Sequence, residues 1–322
     1  MKKLGLGLGT LLVATLLVAC APKESSLKGS ASKTPTAKTA KTVDLTFGTM
    51  SAPESIPLYL AQKKGYFKAQ HLNVTLQNFK SPKERDAAVA SGQLDGAVTD
   101  VVTLAAYQNG KLGWKIATGL NGSFGILTNQ PSIKTVADLK GKTVATMPHQ
   151  TPTFYLDQAL AQVGLSEKDV KLSEVAQIPA RIQLCLDRKI DAMIVPDPFM
   201  AIAKAKGARV IAQSDPVAYQ TTILAVAPGL AKNKPVARRV LAAYNRAVQT
   251  LNAGQAADFQ GILTQDIGYP AALVPKVELV RYTKAHAVKP AVLKAAFAYA
   301  KSEGVTATTL DPAAVSLSGV TE

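Results

Sequence analysis

"IPARIQLCLDRKIDAMIVPDPFMAIAKAKGARVI" (residues 178–211) decides the fold. "ARIQLCLDRK" carries apolar residues at helical spacing, whereas "IDAMIV" is an apolar run of strand length. Pro198 suits the first turn of a following helix, and "ARVIA" is a second strand-length run. Helix, strand, helix, strand in immediate succession is the pattern of parallel α/β units, whose neighbouring strands need a crossover between them.

The same pattern extends upstream. "VDLTFGT" reads as a strand, "PLYLAQKKGYFKAQ" as a helix and "LNVTLQNF" as a strand. "SPKERDAAVASG" predicts a helix capped by Ser81, with Pro82 in its first turn, Glu84 closing a capping box and Gly92 as the stop. "LDGAVT" is a third strand, followed by a helix from about Asp100 to Gln108 and by strands in "WKIATGL" and "FGILTN". From "TVADLKGKTVATM" the order restarts. A helix capped by Thr151 and stopped by Gly164 leads into "VKLSEV" and then the opening stretch. After "YQTTILAVAP" come helices without strands between them, in "PVARRVLAAYNRAVQTLNAG", "AADFQGILTQDIG" and "PAVLKAAFAYAKSEG". Two α/β blocks predict two lobes, and the helical tail, having no sheet of its own, is expected to pack back on the first.

The N-terminus is expected to lie outside the fold. Lys2 and Lys3 precede an apolar run ending at Val18, which is an export signal over residues 1–19. "LVAC" resembles the lipobox of bacterial lipoproteins, which implies acylation of Cys20, as by palmitate. Residues 20–42 then form a lipidated Cys and a Lys-, Ser- and Thr-rich tether, too poor in apolar residues to offset its ordering entropy. The formal charge is +15; these N-terminal 42 residues hold seven lysines against one glutamate, leaving +9 on the folded part. That excess is scattered and without aromatic interleaving, which argues against a nucleic-acid partner. With Cys20 set apart, the one remaining thiol, Cys185, excludes an internal disulfide and reads as a small core residue.

Four stretches, "LAQKKGYFKAQHLNVTLQNF", "AVASGQLDGAVTD", "DLKGKTVAT" and the opening one, together resemble the substrate-binding lipoproteins of ABC importers. The nearest group includes nitrate, taurine, aliphatic-sulfonate and thiamine-precursor binders. The resemblance implies an α/β fold of the type II periplasmic-binding class, with lobe one at 43–124 plus 223–322, lobe two at 125–222, and a helical C-terminal extension on lobe one. Crossings near 124–129 and 219–226 would form the hinge. It further implies a monomer, lipid-anchored on the extracytoplasmic face of the cell membrane. That monomer would capture a small polar organic molecule or oxyanion and deliver it to a permease and its ATPase. The alternative ligand is a thiamine-precursor-type pyrimidine or another heterocycle, and an enzyme of the same fold is a weaker alternative.

Ligands of open α/β sheets collect beyond the carboxyl ends of strands, where helix N-termini converge. The strand-to-helix turns therefore nominate Ser51, Glu54 and Ser55, then Thr99 and Asp100, then Asn121 and Ser123 before the first crossing. In the second lobe they nominate His149, Gln150, Thr151 and Asp197, with Tyr219 beside the second crossing. Asp100 and Asp197 read equally as helix caps, and Tyr219 equally as hinge packing. Free N–H groups after His149–Thr151 would suit an anion, whereas Glu54 would favour an amine or ring N–H, so a zwitterion would satisfy both. The candidate turns offer few aromatic rings to stack a pyrimidine. His71, His149 and His286 share no metal-ligand spacing, and no G-x-S-x-G occurs, so neither catalysis, a metal nor a cofactor is expected.

Overall fold

Residues 41–321 are described by the computed structural model. Cys20, the export segment and nearly all of the tether lie outside the described residues. The chain opens with β1 (Val43–Met50), α1 (Ile56–Lys63), α2 (Tyr66–Ala69), β2 (Leu72–Phe79), α3 (Pro82–Ala90), β3 (Gly96–Asp100), α4 (Val101–Asn109) and β4 (Lys115–Gly119). Residues 120–123 lead into β5 (Phe124–Thr128), β6 (Thr143–Thr146), α5 (Thr151–Ala161), β7 (Lys171–Glu174), α6 (Ile178–Leu186), β8 (Ala192–Pro196), α7 (Phe199–Ala205) and β9 (Arg209–Gln213). Residues 214–221 return to β10 (Thr222–Val226), after which α8 (Pro228–Lys232), α9 (Lys234–Ala253), α10 (Pro290–Ser302) and α11 (Pro312–Val315) complete the chain.

Two five-stranded sheets result, ordered β2-β1-β3-β10-β4 and β7-β6-β8-β5-β9. Each is parallel except for the strand that arrives from the other block: β10 runs antiparallel to β3 and β4, and β5 antiparallel to β8 and β9. The two orders are the same order. One side-chain device recurs at the same place in each. Asp95 Oδ2 accepts from Thr46 N at 2.8 Å while its own N–H donates to Thr46 O. Asp191 Oδ2 likewise accepts from Thr143 N at 2.8 Å and donates its N–H to Thr143 O. Each Asp thereby locks the start of its strand to the parallel neighbour.

Both faces of each sheet are covered by helices, giving four apolar clusters, as doubly wound α/β packing requires. α9 buries Val236, Val240, Tyr244, Val248 and Leu251 on one stripe, against α1 and α2. α10 packs on α4, so the helical tail does cover the first sheet. Among the described residues its one strand-like contact is an isolated bridge between Ser316 and Ile116. α10 also reaches α5 of the second block, and Phe154 of α5 is buried in a cluster otherwise built from the first.

Several local expectations need correction. "PLYLAQKKGYFKAQ" is two helices, because Gly65 takes a left-handed φ of +72° and ends the first. Gln150, not Thr151, is the N-cap of α5, and its side chain makes no capping bond. "AADFQGILTQDIG" is a 3₁₀ turn followed by a π-helical turn, Ile262–Ile267, rather than one α-helix. Residues 124–128, expected at a crossing, already pair with β8 and β9 as β5, and residues 222–226 pair as β10. The connections are therefore 120–123 and 214–221. Among the described residues no helix is long and apolar enough to cross a membrane.

Candidate functional site

A cavity of about 430 Å³ opens between the two sheets at the carboxyl ends of their strands. The first sheet contributes Met50, Thr99 and Asp100, and the second contributes Met147 and Pro196 with the turns that follow. Of the nominated residues, Ser51, Glu54, Thr99, Asp100 and Gln150 line it. The Ser51 hydroxyl accepts from Asn78 Nδ2 at 3.1 Å, which holds the turn after β1. Glu54 is only 8% exposed, and its Oε2 has no partner. Burial pushes this carboxyl up from 4.5 to about 7, with Asp197 adding to the effect; a backbone hydrogen bond and Arg85 oppose it. Thr99 Oγ1 and Thr222 Oγ1 are also buried, unpartnered and on the cavity wall. Buried polar atoms without partners carry a desolvation cost that a ligand can relieve.

Asp100 is a cap first. Its Oδ1 accepts from Val102 N at 3.0 Å and Thr103 N at 2.8 Å, and its Oδ2 from Thr103 Oγ1. The same Oδ1 accepts from Thr151 Oγ1 at 2.7 Å, a bond that joins the two blocks beside the cavity. Thr151 is thus spent on a protein partner and does not line the cavity.

The other nominated residues lie elsewhere. Ser55 is fully buried, its Oγ accepting weakly from Met50 N. Asn121 braces the two connections, donating from Nδ2 to Pro216 O at 3.1 Å and accepting from Thr283 N and Oγ1. Ser123 and Asp197 line a separate cavity of about 30 Å³. Asp197 Oδ1 accepts from Ala201 N at 3.1 Å, a helix-start role, and burial raises its carboxyl pKa. His149 is exposed, with φ of +60° and Nδ1 3.9 Å from Glu303. It faces the C-terminal helices rather than the cleft. Tyr219 packs its ring on Phe154 and Tyr155 beside the second connection.

Much of the wall was not nominated. Met50, Phe79, Phe124, Met147, Phe199 and Ile267 make it largely apolar, and three of these are the aromatic rings that the turns alone did not offer. Ile267 arrives through the π-helical turn, whose geometry the sequence pattern does not announce. The two main polar omissions are Arg85 and Arg181, 4% and 3% exposed and both on the wall. Each is the fourth residue of its helix, α3 or α6, and each donates from Nη1 to the carbonyl of the residue thirteen further on, Val98 or Ile194. Each also stands ten residues before the strand-locking Asp95 or Asp191. That repeated spacing was available to a sequence comparison of the two blocks. So was the anomaly of an arginine in a first helical turn, where the helix dipole disfavours positive charge.

Their electrostatics differ. Arg85 Nη2 lies 2.8 Å from Asp86 Oδ1, which also accepts from Tyr107 Oη at 2.5 Å. Burial pulls its pKa down, but Tyr107, Asp86 and Asp100 outweigh burial and the net shift is upward. Arg181 donates only to main-chain carbonyls, Val175 O from Nε and Nη2 and Ile194 O from Nη1. Burial alone pulls it down to about 10. Among the described residues no group of three His, Cys, Asp or Glu side chains could hold a metal ion.

The profile of the family described as "NMT1/THI5 like" matches residues 52–256. Over 151 residues the chain is 30% identical to the putative aliphatic sulfonates-binding protein of Escherichia coli, covering 46% of each. Over 122 residues it is 29% identical to the 4-amino-5-hydroxymethyl-2-methylpyrimidine phosphate synthase of Schizosaccharomyces pombe, covering 37% of this chain and 35% of that one. The chain thus spans less than half the length of these curated relatives. Among solved structures, the periplasmic aliphatic sulphonate binding protein of Escherichia coli superposes with a TM-score of 0.71 at 21% identity, covering 84% of this chain and 91% of that one. Its fold is of the same two-sheet periplasmic-binding class.

Proposed function

The chain belongs to the NMT1/THI5-like family, and on that footing we propose that it is the extracytoplasmic solute receptor of an ABC importer. It captures a small organic molecule or oxyanion between lobes built on its two sheets and hands it to a permease powered by a separate ATPase. The observation that carries this reading is the cavity of about 430 Å³, walled from both sheets and holding buried polar atoms without partners. A ligand touching both lobes favours the closed form by its extra affinity for that form, and closure is a state that a permease can recognise. The sulfonate-binding relative supports an oxyanion as the ligand. In this reading the receptor is a monomer held at the membrane through an acylated Cys20, and it turns nothing over.

Native mass spectrometry of the purified chain, followed by thermal-shift screening of sulfonates, nitrate, aminosulfonates and pyrimidines, tests the reading. A compound that raises the melting temperature and is recovered unchanged supports it. Recovery of a chemically altered product overturns it in favour of an enzyme. Fatty-acid labelling that disappears in Cys20→Ser checks the anchor. The second reading, a heterocycle binder, is favoured by Phe79, Phe124 and Phe199 on the cavity wall, because such rings stack on planar ligands. A pyrimidine outperforming every sulfonate in the same screen would select it.

A further inference from the structure

We propose that Arg181 is the anion-holding group of the cleft, and that the ligand is an organic acid with an apolar body whose acidic end seats on the second lobe. The proposal rests on the receptor reading above and adds to it a named residue, a ligand class and an orientation.

The internal repeat supplies the comparison. Arg85 and Arg181 occupy the same position in helices α3 and α6 and both pin the carbonyl of a strand residue, so pinning accounts for what the two share. They differ in the next residue, which is Asp86 after Arg85 and Ile182 after Arg181. Asp86 neutralises the first guanidinium at 2.8 Å. The second is equally buried, and no carboxylate lies within 4 Å of it among the described residues. A guanidinium has five N–H donors, and three of those on Arg181 are committed to carbonyls, so two remain. An uncompensated buried cation is costly, and an acid entering the cavity supplies both the missing charge and the missing acceptors. Gln177 makes no side-chain capping bond at the start of α6, which leaves first-turn N–H groups of that helix without a side-chain partner.

The rest of the wall sets the remainder of the ligand. Phe79, Phe124, Phe199 and Met147 favour an apolar or aromatic body over a bare inorganic ion. On the first lobe, Glu54 presents a buried oxygen without a partner, which repels a second acidic group and accepts from an N–H or O–H. Lys80 and Arg85 also line the first-lobe wall, but Lys80 is exposed and Arg85 is neutralised by Asp86, so the buried groups without a charge partner give the cleft a polarity: acceptor on lobe one, donor on lobe two.

The test uses the full mature chain and three probes of one shape: phenylmethanesulfonate, phenylacetate and benzyl alcohol. The acids are expected to bind and the alcohol not, by calorimetry. Arg181→Gln should weaken the acids about 100-fold and Arg181→Lys about tenfold, in keeping with removal of one partner from a buried charge pair. Equal binding of alcohol and acids, or a loss that follows Lys80→Gln instead of Arg181→Gln, overturns the proposal. Failure of all three probes also overturns it, and leaves the receptor reading to the unbiased screen. Should Arg181→Gln not fold, a crystal of the unmutated protein with 4-bromobenzenesulfonate decides. The sulfonate is expected within hydrogen-bond distance of Arg181, with the bromine towards the Phe rings; the reverse orientation overturns the assignment.

Discussion

Glu54 is the residue whose chemistry is most open to measurement. Its carboxyl is buried, one oxygen has no partner, and its pKa stands near 7 against an ordinary 4.5. A carboxyl raised on folding binds its proton more tightly in the native than in the unfolded chain. Its stabilising contribution is complete below about pH 4.5 and is lost as the pH rises through 7. The ligand-free protein should therefore melt at a lower temperature at pH 8 than at pH 5.5. Glu54→Gln, which cannot ionise, should match the unmutated protein at pH 5 and exceed it at pH 8 by about 1–3 kcal/mol. Glu167 lies near 7 as well, raised by burial and by Glu303 and Asp157, so the variant's slope is shallower and not flat. Parallel melting curves for the two proteins across that range would remove Glu54 as the titrating group.

At the scale of elements, the paired aspartates make the two sheets comparable experiments. Asp95→Ala and Asp191→Ala each delete a part-buried bond of 2.8 Å to the parallel neighbour, β1 or β6, the second also losing a 3.4 Å bond from Gln130 Nε2, and each should cost about 1–3 kcal/mol in urea unfolding. A much larger loss from one than from the other would show that the two positions are not equivalent. The strands and helices around these residues were legible in the sequence, because apolar period, Pro in first turns and Gly stops act locally. Ser81 was legible as a cap for the same reason, and its hydroxyl does accept from Glu84 N. The site was legible only at its turns. Ser55, Asn121 and Tyr219 sit on turns that look like cleft edges, yet their side chains are used for packing and bracing. Direction within a turn depends on neighbours far away in the chain: Thr283 and Pro216 for Asn121, Asp100 for Thr151. The arginines were missed for a different reason. Their meaning lies in the comparison of two blocks a hundred residues apart, which no single window contains.

For the whole molecule, Phe154 ties one block to the other. Its ring lies 5.1 Å from that of Tyr299 in α10 and 6.4 Å from that of Tyr219 beside the second connection, and it is buried in the first block's core. Phe154→Ala should lower stability by about 3–5 kcal/mol. It should also enlarge the ligand-free molecule in small-angle scattering, with contraction restored by a bound ligand. An unchanged radius of gyration would mean that α5 does not hold the blocks together. Glu167 reinforces the same edge, accepting from Tyr299 Oη at 2.9 Å. A molecule stitched along one side behaves like a book bound at its spine: the covers part only at the fore-edge. On the receptor reading proposed above, whatever separates the empty state from the filled one is then written away from that seam, on the cavity rim to which Lys80 and Gln177 both contribute.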